Sequence, residues 1–162
     1  MQLCYYRGIA EFFASRWLTD ADQLLAQMNN VSCEAGMTQI HRVITQALSA
    51  GSTQHPLRAV VFVGDACEED PERLMALAGQ CGIKRIPLFL FQEGGDATTR
   101  DIFKGLARLS HGAYAPFDAQ SAEQLKQLLG AVVRYAMGGL KALRQSAAPG
   151  DKLLLEQLDT HS

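Results

Sequence analysis

The sequence has neither an excess of positive charge nor a long hydrophobic run. Its 15 Lys and Arg residues against 17 Asp and Glu residues give a formal net charge of -2. This balance lacks the basic surface typical of nucleic-acid-binding domains, so we expect no nucleic-acid partner. No apolar run approaches the roughly 20 residues that a membrane-spanning helix needs, so we expect no membrane association.

The opening residues, MQLCYYRG, lack the basic region followed by an apolar stretch that marks a secretory signal. The four cysteines, Cys4, Cys33, Cys67 and Cys81, show no CxxC spacing. They indicate reduced thiols rather than a disulfide framework or a zinc site. The sequence therefore predicts a cytoplasmic protein.

The common catalytic and nucleotide-binding motifs are absent as well. There is no GxxxxGK[ST] phosphate loop, no GxGxxG after a strand and no GxSxG nucleophile elbow. The four histidines are scattered, and His41 has no second ligand at helical spacing. These absences disfavour nucleotide-dependent enzymes, α/β-hydrolases and zinc enzymes.

What is present is an alternation of short apolar runs with longer amphipathic segments, in a chain of 162 residues with 48% hydrophobic content. Such alternation is typical of an α/β fold with a doubly wound, mostly parallel sheet flanked by helices. We expect one α/β domain over 1–146, then a linker and short helical tail over 147–162, which either docks or extends. The predicted strands are 1–6, 59–63, 86–91 and 113–117, with 11–17 as a hairpin-related edge strand. The predicted helices are 19–30, 37–48, 70–80, 99–109 and a long one from the capping residue Ser121 that breaks or ends at Gly138 and Gly139. Asp70 is the predicted N-cap of the helix over 70–80 and Gly82 its predicted end. The helix over 37–48 has a single buried stripe of Ile40, Val43, Ile44, Ala47 and Leu48.

The run at 59–63 is the centre of this pattern. It is unbroken, rich in valine and ended by Gly64 and Asp65, which predicts a strand buried on both faces. Ligands of open α/β sheets lie outside the carboxyl ends of the strands, which makes Asp65 a candidate site residue. An Asp after a strand is also a common turn former or helix N-cap, so both interpretations stay open.

Five segments of the chain together resemble von Willebrand factor type A domains, most closely the bacterial intracellular members. They are LCYYRG (3–8), GMTQI (36–40), VVFVGDACEE (60–69), PLFLFQEG (87–94) and HGAYAPFD (111–118). The resemblance extends through about Gly139. It implies a Rossmann-like domain that recognises proteins, often through a divalent cation bound by three loops at the top of the sheet.

Two of the three loops of that metal site have counterparts here. Thr38 lies at the threonine position of the family and Asp65 at the aspartate position, and such oxygen ligands suit Mg²⁺. The DxSxS motif that follows the central first strand of the family is absent. The resemblance therefore implies an incomplete metal-ion-dependent adhesion site, because two protein ligands are too few to compete with water.

The same departure removes the usual central strand and the helix after it. A truncated reading frame, a degenerate fold that closes over the gap, and a strand supplied by another chain are all open explanations. Either strand 1–6 pairs directly with strand 59–63, or an oligomer covers the exposed edges. We expect direct pairing, with a homo-oligomer as the other possibility.

The leading functional hypothesis is a non-enzymatic protein–protein interaction module with an incomplete Mg²⁺ site at Thr38 and Asp65. Arg7, Glu68 and Glu69 lie on segments expected to share one rim and are the candidate partner-binding residues. One alternative is a small hydrolase or phosphatase that uses Asp65 or Cys67 at the strand end. Another is a metal-free structural or regulatory subunit that docks by an exposed apolar edge.

Overall fold

A computed structural model describes residues 1–31, 36–51, 54–118 and 122–158. The predictions made for Cys33, the Ser121 cap and the last four residues of the tail, 159–162, fall outside these residues. The elements, in chain order, are β1 Cys4–Arg7, β2 Glu11–Ala14, α1 Ala21–Asn29, α2 Ile40–Ala50, β3 Val60–Gly64, α3 Pro71–Ile83, β4 Leu88–Glu93, α4 Ala97–Leu109, β5 Ala113–Phe117, α5 Ala122–Arg144 and α6 Pro149–Leu158.

The main sheet of the described chain is parallel and has the strand order β3-β4-β5. Side chains of the central strand alternate between two cores, as strand geometry requires. Leu88 and Leu90 pack on one face with α2, α3 and α4. Phe89 and Phe91 pack on the other face with α5 and α6. The predicted α/β class, with helices on both faces of a parallel sheet, is confirmed.

The N-terminal strands form a separate antiparallel hairpin in which Tyr5 is paired with Phe13. The hairpin was predicted, but its direct pairing with the strand at 59–63 was wrong. Side chains attach the hairpin instead, since the Tyr6 ring stacks on Phe62 with centroids 6.4 Å apart. Helix α2 anchors it from the same side, because Arg42 donates to the Ala10 carbonyl at 2.6 Å.

Strand β3 is consequently the edge strand of the described sheet. Phe62 is its one fully buried residue, and Val63 is 44% exposed. The prediction of a strand buried on both faces is met only in part. Val60 and Phe62 pack on the core of one face and Val61 on the core of the other, but Val60 and Val61 stay partly exposed and Val63 is exposed.

Two helix predictions need correction at their ends. Helix α2 begins at Ile40 rather than at 37, so Thr38 precedes the helix and Gln39 is its N-cap. Helix α3 begins at the predicted Asp70 cap but continues through Gly82 to Ile83. Gly82 serves close packing instead of termination, since a Cβ there would lie 2.3 Å from the Leu109 carbonyl oxygen.

The C-terminal region docks rather than extends. Gly139, with φ 62°, interrupts α5 as predicted, and the chain then turns back into α6. Leu154 and Leu158 of α6 enter the core beneath β4 and β5. The fully buried Asp151 accepts a bifurcated hydrogen bond from Arg134 Nε, which lies 3.0 Å from Oδ1 and 2.9 Å from Oδ2. Among the helices of the described ranges, none is long and apolar enough to cross a membrane.

Candidate functional site

The loop that follows β3 lies at the carboxyl edge of the parallel sheet. Asp65 comes directly after the last residue of β3 and is exposed to solvent. Gly64 before it leaves room for the Phe62 ring, which would lie 2.8 Å from a Cβ at this position. The carboxyl edge is where open α/β sheets bind their ligands.

Thr38 and Glu68, which are 30 residues apart, meet beside this loop. The Glu68 backbone N–H donates to Thr38 Oγ1 at 3.0 Å. In return the Thr38 backbone N–H donates to Glu68 Oε2 at 3.1 Å. This reciprocal pair links the segment before α2 to the segment before α3, and it occupies the Thr38 hydroxyl as an acceptor.

Glu69 serves as the cap of α2 although it belongs to a different loop. Its carboxylate accepts hydrogen bonds from the backbone N–H groups of Ile40 and His41 and contacts His41 Nδ1. The side chain is 13% exposed. A carboxylate at a helix N-terminus is stabilised by the helix dipole and by the unpaired N–H groups of the first turn. Glu69 therefore holds α2 against the loop after β3.

The hairpin turn borders the same region. A Cβ on Gly36 would lie 1.9 Å from the Gly8 carbonyl oxygen, so the segment leading to α2 lies directly on the turn after β1. Arg7 forms an ion pair with Glu11 across this turn. We call the hairpin turn at 7–8, the segment 36–38 and the loop 65–69 the rim.

Tyr6 and Cys67 lie behind the rim and are both held in their neutral forms. Burial raises the pKa of Tyr6 to about 12, and the negative charges of Glu69 and Asp65 add to this, whereas a hydrogen bond from the Gln39 backbone opposes it. Burial also raises the pKa of the Cys67 thiol, against an opposing hydrogen bond from the Glu69 backbone. The thiol is therefore not activated as a nucleophile.

Sequence reasoning did not single out Gln39, which is 4% exposed. Its Oε1 accepts from Arg42 Nη1 at 2.8 Å. Its Nε2 is buried and finds no acceptor among the described residues. No motif marks such a residue, because its burial depends on how the hairpin sits on α2.

The rim does not present the ligand set of a hard cation. Within the described ranges, no group of three or more His, Cys, Asp or Glu residues is placed to hold a metal ion. The carboxylate of Glu69 is engaged by α2, and the Thr38 hydroxyl accepts from Glu68. Thr38 and Asp65 alone leave a Mg²⁺ ion short of protein ligands, so these residues do not fit the group.

Comparisons with protein-family models, curated proteins and solved structures found no match to the chain. The family resemblance therefore rests on the five sequence segments that carry it.

Proposed function

We propose that the chain is a non-enzymatic protein-interaction module of von Willebrand factor A type, with an incomplete metal-ion-dependent adhesion site. Its partner binds along the free edge of β3 and over the rim. The observation that carries this proposal is the position of β3 at the edge of the sheet, next to a hairpin that does not pair with it.

The backbone of β3 supports strand addition. The Val60 N–H donates to the Pro87 carbonyl at 3.0 Å, which fixes the direction of the peptide groups in the strand. Because these groups alternate along a strand, those of Val61 and Val63 point away from β4. An unpaired strand edge is a template for an extended segment of another chain.

The surroundings of this edge are also suited to a partner. Val63 contributes exposed apolar surface at the end of the strand.

The rim gives the partner a preferred charge. Asp65 and Glu68 are exposed carboxylates, whereas Glu69 is largely covered and serves α2. Arg7 lies at the far end of the rim and is paired with Glu11. We therefore assign partner contact to Asp65, Glu68 and Arg7, and we expect basic residues in the part of the partner that lies over the loop 65–69.

Binding in this proposal needs no cation, because Thr38 and Asp65 are too few protein ligands to hold one. In the alternative, Mg²⁺ binds at Thr38 and Asp65 with further ligands from a second chain. The hydrolase or phosphatase alternative gains no support from the raised pKa of the Cys67 thiol.

Photo-crosslinking from the edge of β3 tests this function. A benzoyl-phenylalanine at position 63, in the full chain expressed in its native cells, is expected to give a discrete protein adduct. The same probe at Ile83, which is 85% exposed at the end of α3, is the control and is expected to give none. The adduct is expected to persist when divalent cations are chelated.

Two results would contradict the proposal. Equal adduct patterns from positions 63 and 83 would show that β3 is not a specific contact. Loss of the adduct on chelation, reproduced by Asp65→Ala, would show that a cation completes the site. An adduct of twice the mass of the chain would identify the partner as a second copy.

A further inference from the structure

A cleft lies at the carboxyl ends of β4 and β5, apart from the rim. Its volume is about 370 Å³, and its walls come from four elements that are distant in sequence: β4, α4, β5 and α6. This volume lies at the lower end of the range of small-molecule sites in proteins. The position is again the edge at which open α/β sheets bind ligands.

One wall of the cleft is positively charged. Arg100 and Lys104 lie one turn apart on α4, and Lys104 Nζ is 5.7 Å from the centroid of the Tyr114 ring. No acidic residue of the described chain lines the cleft. Asp101 contacts Arg100 at 3.4 Å but is 74% exposed and lies outside the lining.

The floor of the cleft is ordered by hydrogen bonds. The Tyr114 hydroxyl donates to Oε1 of the fully buried Gln92 at 2.8 Å, and Gln92 Nε2 donates to the Asp96 carbonyl at 2.9 Å. Gln157 of α6 accepts from the Tyr114 backbone N–H at 2.7 Å, which fixes the opposite wall. A ligand would meet a preformed surface, so little ordering would oppose its binding.

The mouth of the cleft leaves room for a ligand to approach the backbone closely. Gly94, with φ 80°, and Gly95 have nothing within 4 Å of an added Cβ. Pro116, which is exposed, supplies apolar surface in the cleft, whereas the Tyr114 ring is only 4% exposed and forms the floor. The combination of an apolar floor and a cationic wall suits a molecule with an anionic group and a carbon skeleton.

We propose that this cleft binds a small organic oxyanion. Arg100 and Lys104 hold its phosphate or carboxylate group, and its carbon part lies against Pro116. The guanidinium of Arg100 presents a planar pair of donors that matches either group, and Lys104 adds a point charge. The site is separate from the partner surface of the rim, and its function does not depend on that partner.

Amide chemical-shift titration of the full chain tests the site with two probes, phenyl phosphate and benzoate, at constant ionic strength. Saturable shifts of the Gly94 and Gly95 amides are expected with at least one probe, and the tighter probe identifies the preferred oxyanion. Lys104→Gln is expected to weaken binding about tenfold, the size of one charge-assisted hydrogen bond. Arg108→Gln is the matched control, because it removes one exposed positive charge from the same helix outside the cleft.

The proposal is overturned if neither probe gives saturable shifts up to about 20 mM, which is weaker than any useful affinity for a metabolite. It is equally overturned if Arg108→Gln weakens binding as much as Lys104→Gln, because the effect is then general electrostatic attraction to the helix. Lys104 is exposed, so its replacement leaves the fold intact and the comparison valid.

Discussion

Replacing Glu69 with alanine is expected to lower the free energy of unfolding by about 2 kcal/mol, since the change removes a charged helix cap. Ile40 and His41 would lose the acceptor of their backbone N–H groups, and α2 would lose its link to the loop after β3. The N-cap residue of α2 does not replace this cap, because the Gln39 side chain makes no capping hydrogen bond. Urea unfolding, followed by circular dichroism, measures the change.

Glu68→Ala is the matched control for this prediction. Glu68 is adjacent and carries the same charge, but it is exposed and accepts only from the Thr38 N–H. Its removal is expected to cost about 0.5 kcal/mol. Equal losses for the two variants would contradict the assignment of Glu69 as the cap of α2.

Arg134→Ala is expected to cost about 3 kcal/mol, because it leaves the fully buried carboxylate of Asp151 without its partner. The loss is expected to destabilise α6 first, since Asp151 lies in its first turn. Urea unfolding measures the total loss, and amide exchange in α6 locates it. Lys126→Ala, on the same helix as Arg134, is the control, because Lys126 is 80% exposed and its ion pair with Glu123 is 3.8 Å long.

The double variant Arg134→Ala with Asp151→Ala tests the interaction of this pair directly. Removing the buried carboxylate together with its partner is expected to restore part of the stability that Arg134→Ala loses. A double variant that loses the full sum of the two single changes would show that the pair does not interact.

The main sheet and its helices could be predicted because their signals are local. The apolar runs at 86–91 and 113–117 lie within two residues of β4 and β5. In the stripe predicted from helical spacing, Ile40, Ile44 and Ala47 are buried, and Val43 and Leu48 are partly buried against the same core. Local spacing also gave the Asp70 cap of α3 and the break at Gly139.

The errors concern contacts between distant segments. The apolar run before Gly64 indicates a strand but not which of its edges is paired, so the open edge of β3 could not be predicted. Gly82 has the sequence appearance of a helix stop, yet its role is set by Leu109 on the neighbouring helix. Glu69 was a candidate for partner contact, whereas its carboxylate caps a helix that begins 29 residues earlier.

For the candidate sites too, local signals could be predicted and contacts between distant segments could not. Asp65 could be placed at the carboxyl edge from the strand that precedes it, and Thr38 was associated with it by the family resemblance. The cleft around Arg100 and Lys104 has no sequence motif that would predict it. Its four walls come together only when α6 docks against β5.

Hydrogen exchange at β3 in the isolated chain tests the central claim, that this strand has a free edge, most directly. The amides of Val61 and Val63 point away from β4 and are expected to exchange at least about 100-fold faster than the amide of Phe62, which points toward it. Equal and strong protection of all three amides would contradict the account, because β3 would then be paired on both sides.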